Sequence, residues 1–164
     1  MFSPYEGSLR VPFLIRYPKE IPSGKISNDI VHIIDLFPTL AKWSGASLPQ
    51  DRILDGVDQT SFFSGKINKS SRETVLIYVG NELFGVKWRN WKMLLKEIAR
   101  NGSYAIQNLA CPSIYNLIID PKEEEPEKFY LDDTWVEVPL WNAIAEHENS
   151  LEKESVKETL RAIK

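Results

Sequence analysis

Side chains capable of chemistry are few in this sequence and stand far apart. His32 and His147 are widely separated, and neither has a second potential ligand at the i, i+4 spacing that a helical metal site uses. Asp35 could bind calcium through its carboxylate, but it also stands where a helix is predicted to begin, and we favour that structural role. The residues therefore predict no catalytic, cofactor-binding or metal-binding set within the chain.

Two further segments could either bind a ligand or serve the fold. The run Trp88-Arg89-Asn90-Trp91-Lys92 joins indole rings to basic groups, which could stack on a sugar or hold a sulfated ligand. Its tryptophans stand among apolar neighbours, so we favour packing in a hairpin. The acidic run 120–127 could bind a cation, but it has two prolines and no glycine for the sharp bend of a calcium loop. A solvated turn is the interpretation we favour.

Composition limits the classes of protein to which the chain can belong. Its 164 residues, 43% of them hydrophobic, suffice for one domain, or for a small domain with part of another. A formal charge of −3 without a basic stripe argues against nucleic-acid binding. No run of about 18 apolar residues or charged-then-apolar leader is found, so neither a membrane span nor a signal peptide is predicted. The single cysteine, Cys111, excludes an internal disulfide.

The first part of the chain has the pattern of an α/β sheet. The apolar runs 10–17 and 30–34 predict two strands, the first buried on both faces of a parallel sheet. A helix is predicted from Leu36 to about Ser44, with Asp35 as its N-cap and Gly45 just after its end.

The second part has the pattern of a small antiparallel sheet with a helix. Arg89-Asn90 is a plausible hairpin turn, and residues 138–154 have helical spacing. We place a domain boundary between residues 1–70 and 71–164. A short helix is predicted at 59–63, just before the boundary, and strands are predicted after it at 74–79, 83–88, 91–96 and 113–118.

Several segments resemble the sulfatase family of the alkaline-phosphatase-like superfamily, in the family's order. Glu6-Gly7-Ser8-Leu9-Arg10-Val11-Pro12 is similar to the motif E-G-[GS]-x-R-x-P, and residues 114–124 are similar to the turn [IL]-[YF]-[DN]-L-x-x-D-P-x-E. The other similar segments are 31–40, 51–59, 71–73 and 86–92. The resemblance implies the last strand-helix elements of the catalytic α/β domain, followed by a four-stranded antiparallel sheet packed by a C-terminal helix.

The resemblance also implies a reaction, hydrolysis of a sulfuric ester. In sulfatases a hydrated formylglycine attacks sulfur beside a divalent cation, usually calcium, and most of these groups precede the E-G-S-x-R segment. We therefore expect a C-terminal fragment that lacks the formylglycine and metal loops and is inactive alone. Met1 stands five residues before Glu6, where the closest subgroup has a lysine that contacts the sulfate. A truncated or internally started reading frame is the simplest explanation.

Two residues could be mistaken for members of that site. Cys111 does not fit the formylglycine signature, which needs proline or alanine two positions later and arginine four positions later, where this chain has Ser113 and Tyr115. We interpret it as a small residue opening a strand. His32 is similar to a common sulfatase histidine, and either supports the site or is a satisfied residue at a strand end.

Alternatives to an arylsulfatase fragment remain open, and whether this chain catalyses anything is a separate question. It could be an interaction module that completes a separately encoded catalytic half, or a degenerate relative without a substrate. The expected partners are the N-terminal catalytic portion and, in the complete enzyme only, a sulfate ester. Apolar edges left at 10–17 and 30–34 would favour self-association. Localisation stays open, although sulfatases are often periplasmic, secreted or lysosomal.

Overall fold

The computed structural model describes residues 3–99, 105–127 and 134–153. The contacts divide the chain into two units, a sheet unit (Met1–Arg10 with Leu76–Lys164) and a helical unit (Val11–Val75). Within the described ranges, no helix combines the length and apolarity needed to cross a bilayer. The elements, in chain order, are α1 (Glu6–Leu9), a 3₁₀ turn (Ile33–Asp35), α2 (Leu36–Ser44), α3 (Thr60–Phe63), β1 (Thr74–Val79), β2 (Glu82–Trp88), β3 (Trp91–Ile98), β4 (Ile106–Asn116), a second 3₁₀ turn (Thr134–Val136) and α4 (Glu137–Lys153).

The predicted fold class is confirmed: helices accompany a four-stranded sheet in the order β1-β2-β3-β4. Strands β2 and β3 are antiparallel, and Trp88 stands opposite Trp91 at the end of their hairpin. Arg89 takes a φ of 52° in the turn, so the Arg89-Asn90 turn forms without a glycine. Strand β4 pairs antiparallel with β3, with a register shift between Leu94 and Lys96. The domain boundary at residue 70 stays a prediction.

One face of the sheet packs against α4, as predicted. Val86, Met93 and Ile114 from the strands form a buried core with Leu140 and Ile144 from the helix. The hairpin tryptophans close this core, because the Trp135 ring lies edge-on to those of Trp88 and Trp91 with centroids 6.1 and 6.2 Å away. The packing interpretation of this hairpin agrees with the structure. The second apolar cluster of the sheet comprises Ile77, Phe84, Leu94 and Tyr115.

Helix α2 organises the helical unit and has the predicted bounds. Pro38 lies in its first turn, where the missing N–H has no intrahelical partner to lose. Gly45 ends the helix with a φ of 73°, a conformation that a residue with a Cβ adopts at a cost. Asp35 does occupy the N-cap position, but its side chain makes no capping hydrogen bond to α2.

The strands predicted at 10–17 and 30–34 are wrong for this structure. Residues 11–17 have no regular secondary structure, and Leu14 is 95% exposed. Strands need neighbours for their backbone groups, whereas the Tyr17 carbonyl accepts from the nearby N–H groups of Glu20 and Ile21. The Phe13 ring packs 5.9 Å from that of Phe63. Residues Ile33–Asp35 form a 3₁₀ turn instead, because the His32 N–H donates to the Asp35 carboxylate while the Ile34 N–H donates to His32 Nδ1.

Candidate functional site

Four charged side chains meet on the sheet unit in a buried group that we call the ion cluster: Glu6, Lys87, Lys92 and Glu123. Lys92 is fully buried, and its Nζ lies 2.5 Å from Glu123 Oε1 and 3.2 Å from Glu6 Oε1. Lys87 Nζ lies 2.7 Å from the other Glu6 oxygen. The Glu6 backbone N–H also donates to Glu123 Oε2 over 2.6 Å. Two carboxylates and two ammonium groups therefore balance in charge.

The hairpin of β2 and β3 positions the two lysines of the ion cluster. Lys87 stands directly opposite Lys92 in the ladder. Because side chains alternate along a strand, both point away from the face on which Val86, Met93 and α4 pack. Like charges directly opposite each other repel. The Glu6 carboxylate contacts both ammonium groups and offsets this repulsion.

An acidic turn brings Glu123 into the ion cluster. Glu123 takes a φ of 56°, and its N–H donates to the Asp120 carbonyl over 3.2 Å. The turn is held further by the Glu125 N–H, which donates to the Asp120 carboxylate, and by the Glu127 N–H, which donates to the Ile114 carbonyl. The interpretation of 120–127 as a merely solvated turn is therefore wrong at Glu123, which is 1% exposed.

Electrostatics keep the Glu6 carboxylate ionised. Burial favours its neutral form, but the hydrogen bond and charge of Lys87 and the charge of Lys92 outweigh burial and hold the Glu6 pKa below its usual value. A buried carboxylate with such partners is a stable anchor rather than a proton donor near neutral pH. The ion cluster thus fixes the E-G-S segment to the sheet and offers no general acid at Glu6.

A second buried ion pair lies in the helical unit. Asp35 is fully buried, and the Arg72 guanidinium binds it with Nη2 2.6 Å from Oδ1 and Nε 2.9 Å from Oδ2. The Val57 N–H donates to the same carboxylate over 2.8 Å. Burial alone would raise the pKa of Asp35. The hydrogen bonds from Arg72, Val57 and His32 have the larger, opposite effect, so the Asp35 pKa lies below its usual value. Asp35 thus joins α2 to Arg72 and to the loop at Val57.

The structure does not bring the remaining reactive residues together. His32 Nδ1 accepts the Ile34 N–H, and burial and the nearby Arg72 charge lower the His32 pKa. His147, on α4, has Nε2 2.7 Å from the Tyr78 hydroxyl at the surface. Cys111 lies exposed within β4 rather than at its start. Met1 lies outside the described residues.

The described residues do not fit a calcium ion. Calcium takes six to eight oxygen ligands, whereas the buried carboxylates here face cations: Glu6 and Glu123 face lysines, and Asp35 faces Arg72. Across residues 3–99, 105–127 and 134–153, no cluster of three potential metal-binding side chains occurs.

Comparison with known proteins identifies the family. Residues 3–148 match the family model described as N-sulphoglucosamine sulphohydrolase, C-terminal. Steryl-sulfatase from Homo sapiens is 31% identical over 143 residues, which cover 74% of this chain and 24% of that protein. Arylsulfatase G from Canis lupus familiaris is 41% identical over 61 residues, or 37% of this chain and 11% of that protein. The chain thus spans about a quarter of the steryl-sulfatase length.

Solved structures of sulfatases share the fold of this chain. The crystal structure of the PsFucS1 sulfatase from Pseudoalteromonas sp. superposes with a TM-score of 0.74 and 23% identity, covering 85% of this chain and 29% of that one. The match to the C-terminal family model, together with this shared fold, decides the assignment. The chain belongs to the sulfatase family and corresponds to its C-terminal region.

Proposed function

We propose that this chain supplies the C-terminal part of an arylsulfatase-like sulfuric ester hydrolase, and that it does not hydrolyse sulfate esters alone. The observation that carries the proposal is the ion cluster, in which Lys87, Lys92 and Glu123 hold the Glu6 segment. In sulfatases the E-G-S-x-R segment follows the metal-ligand loop. The sheet unit holds this segment in place. The chain that enters from the catalytic portion therefore ends at a fixed position.

The residue chemistry supports inactivity of the chain alone. Displacement at sulfur requires a nucleophile, a cation that neutralises the sulfate, and an acid for the leaving alcohol. Cys111 lacks the spacing for formylglycine conversion, and Glu6, Asp35 and Glu123 are bound by basic side chains. Formylglycine and calcium therefore belong, in this proposal, to the complete enzyme.

Purified chain is expected to give no turnover of a chromogenic aryl sulfate, with or without added calcium, above the buffer rate. A complete arylsulfatase in the same assay is the positive control. Calcium-dependent hydrolysis by this chain, abolished by chelation and restored by calcium, would refute the proposal.

An interaction module that completes a separately encoded catalytic half is the second candidate, and the exposed apolar side chains of the helical unit favour it. Leu14 is 95% exposed, Ile26 93% and Val11 73%. Val11 and Leu14 stand in one irregular segment, and exposed apolar side chains that form a patch mark surfaces at which another protein binds. The adjoining DNA distinguishes the candidates: an in-frame upstream continuation indicates one chain, whereas a complete independent upstream frame indicates a module.

Uncovered, these apolar groups should drive self-association of the chain. We expect oligomers in light scattering at micromolar concentrations, and a shift towards monomer for Leu14→Lys, because the substitution places a charge in the exposed segment. Ile119→Lys is the matched control, since Ile119 is 77% exposed on the sheet unit, and should leave the oligomers unchanged. A monodisperse monomer from the unaltered chain would contradict the prediction.

A further inference from the structure

Lys92 is neutralised by two segments whose glutamates, Glu6 and Glu123, are 117 residues apart in the sequence. Its fully buried ammonium contacts Glu6 from the first segment and Glu123 from the acidic turn. If either segment left the sheet, Lys92 would lose one of the two carboxylates that neutralise it. Charges taken out of water without a partner are strongly unfavourable, so each segment makes the docking of the other more favourable.

A direct bond joins the two segments as well. Glu123 uses both carboxylate oxygens: Oε1 contacts Lys92 Nζ, and Oε2 accepts the Glu6 backbone N–H over 2.6 Å. A charge-assisted bond to a backbone group fixes the main chain itself, not only a side chain. The position of the Glu6 backbone is therefore set by a residue of the turn.

We propose that residues 5–9 and the turn 120–127 dock on the sheet as one thermodynamically coupled unit, with Lys92 and Glu123 as positioning residues for Glu6. Coupling of this kind is reciprocal, because each segment must stabilise the other by the same free energy. One consequence rests on the proposed function: the turn 120–127 sets the path of the chain that arrives from the catalytic portion. The coupling itself is testable without catalysis.

Amide hydrogen exchange by NMR tests the reciprocity with reporters that do not touch the substituted side chains. The Arg10 N–H, bonded to the Glu6 carbonyl over 2.8 Å, reports on the first segment. The Glu127 N–H, bonded to the Ile114 carbonyl over 2.7 Å, reports on the turn. We expect Glu123→Gln to accelerate exchange at Arg10, and Glu6→Gln to accelerate exchange at Glu127, each by at least about tenfold.

The control is Glu82→Gln, which removes a carboxylate that is half exposed and pairs with Lys96 on the same sheet unit. It should leave exchange at both reporters unchanged. Acceleration only in the segment that carries the substitution, or in neither, would overturn the proposal. Inactivity of the chain towards aryl sulfates would stand in either case, so the two proposals fail separately.

If the variants do not fold, the unaltered chain still decides the matter. Exchange at Arg10 and Glu127 is then measured over a series of low denaturant concentrations. Coupled docking predicts that both amides open with the same free energy and the same denaturant dependence. Two different dependences would overturn the coupling.

Discussion

Replacing Lys92 by methionine is expected to destabilise the sheet unit by about 3–5 kcal/mol, because removing one member of a buried ion pair leaves the other carboxylate buried without that ammonium as its counter-ion. Methionine fills a similar volume, so loss of packing adds little. Glu6 keeps its contact with Lys87, but Glu123 loses the ammonium at 2.5 Å and stays buried. Equilibrium denaturation in urea, followed by tryptophan fluorescence, measures the loss.

Lys96→Met is the matched control for this change. Lys96 lies on the same strand and pairs with Glu82 over 2.6 Å, but both side chains are partly exposed. An exposed pair of this kind contributes at most about 1 kcal/mol. Equal losses for the two variants would show that burial of Lys92 contributes nothing beyond a surface pair.

Arg72→Met should destabilise the helical unit by a comparable amount, about 3–5 kcal/mol. The substitution removes a bidentate guanidinium from a fully buried carboxylate. Among the described residues, the backbone N–H groups of His32 and Val57 and the Gln59 amide remain as donors to Asp35. Thermal unfolding monitored by circular dichroism measures the change. Arg52→Met removes an exposed arginine that pairs with its neighbour Asp51, and no measurable change is expected.

Lowering the pH and adding a second substitution both test why Arg72→Met destabilises the helical unit. The Asp35 pKa is lowered by folding, so its contribution is complete above the ordinary value of 3.8 and is lost as pH falls through the still lower folded pKa. Adding Asp35→Asn to Arg72→Met should restore part of the stability, because no unpaired charge is then buried. No recovery in the double variant would contradict the electrostatic explanation.

Local sequence signals predicted the elements that depend on neighbouring residues. The bounds of α2 followed from Asp35 at the N-cap position and Gly45 just after the end, and α4 began within a residue of its prediction. The sheet was recognisable from its β-branched and aromatic runs, although β4 begins at Ile106, earlier than expected. Residues 10–17 have the same apolar character, but strand formation needs a neighbouring strand, which this segment's own composition cannot supply.

The ion cluster was missed because its partners are distant in sequence. Lys87 and Lys92 offered one local signal: each is a charged residue within an apolar strand, on the face opposite the core residues Val86 and Met93. Glu123 offered none, since it stands in a run of acids. Only the conformation of the turn, with its positive φ, selects it for burial.

Three of the segments by which the sequence resembles sulfatases contact one another in the structure. Glu6 comes from the E-G-S segment, Lys92 from the tryptophan hairpin, and Glu123 from the D-P-x-E turn. In this chain, these motifs contribute to the ion cluster rather than to a set of reacting groups. The ion cluster explains how the beginning of the described chain is held on the four-stranded sheet.

A double-mutant cycle between Lys92 and Glu123 tests most directly whether the ion cluster holds these segments together. The free energy of unfolding is measured for Lys92→Met, Glu123→Gln and the double variant. A buried contact at 2.5 Å predicts a coupling energy of at least about 1.5 kcal/mol, with the double variant less destabilised than the sum of the single variants. Additivity to within about 0.5 kcal/mol would show that the two residues act independently, and would contradict the account.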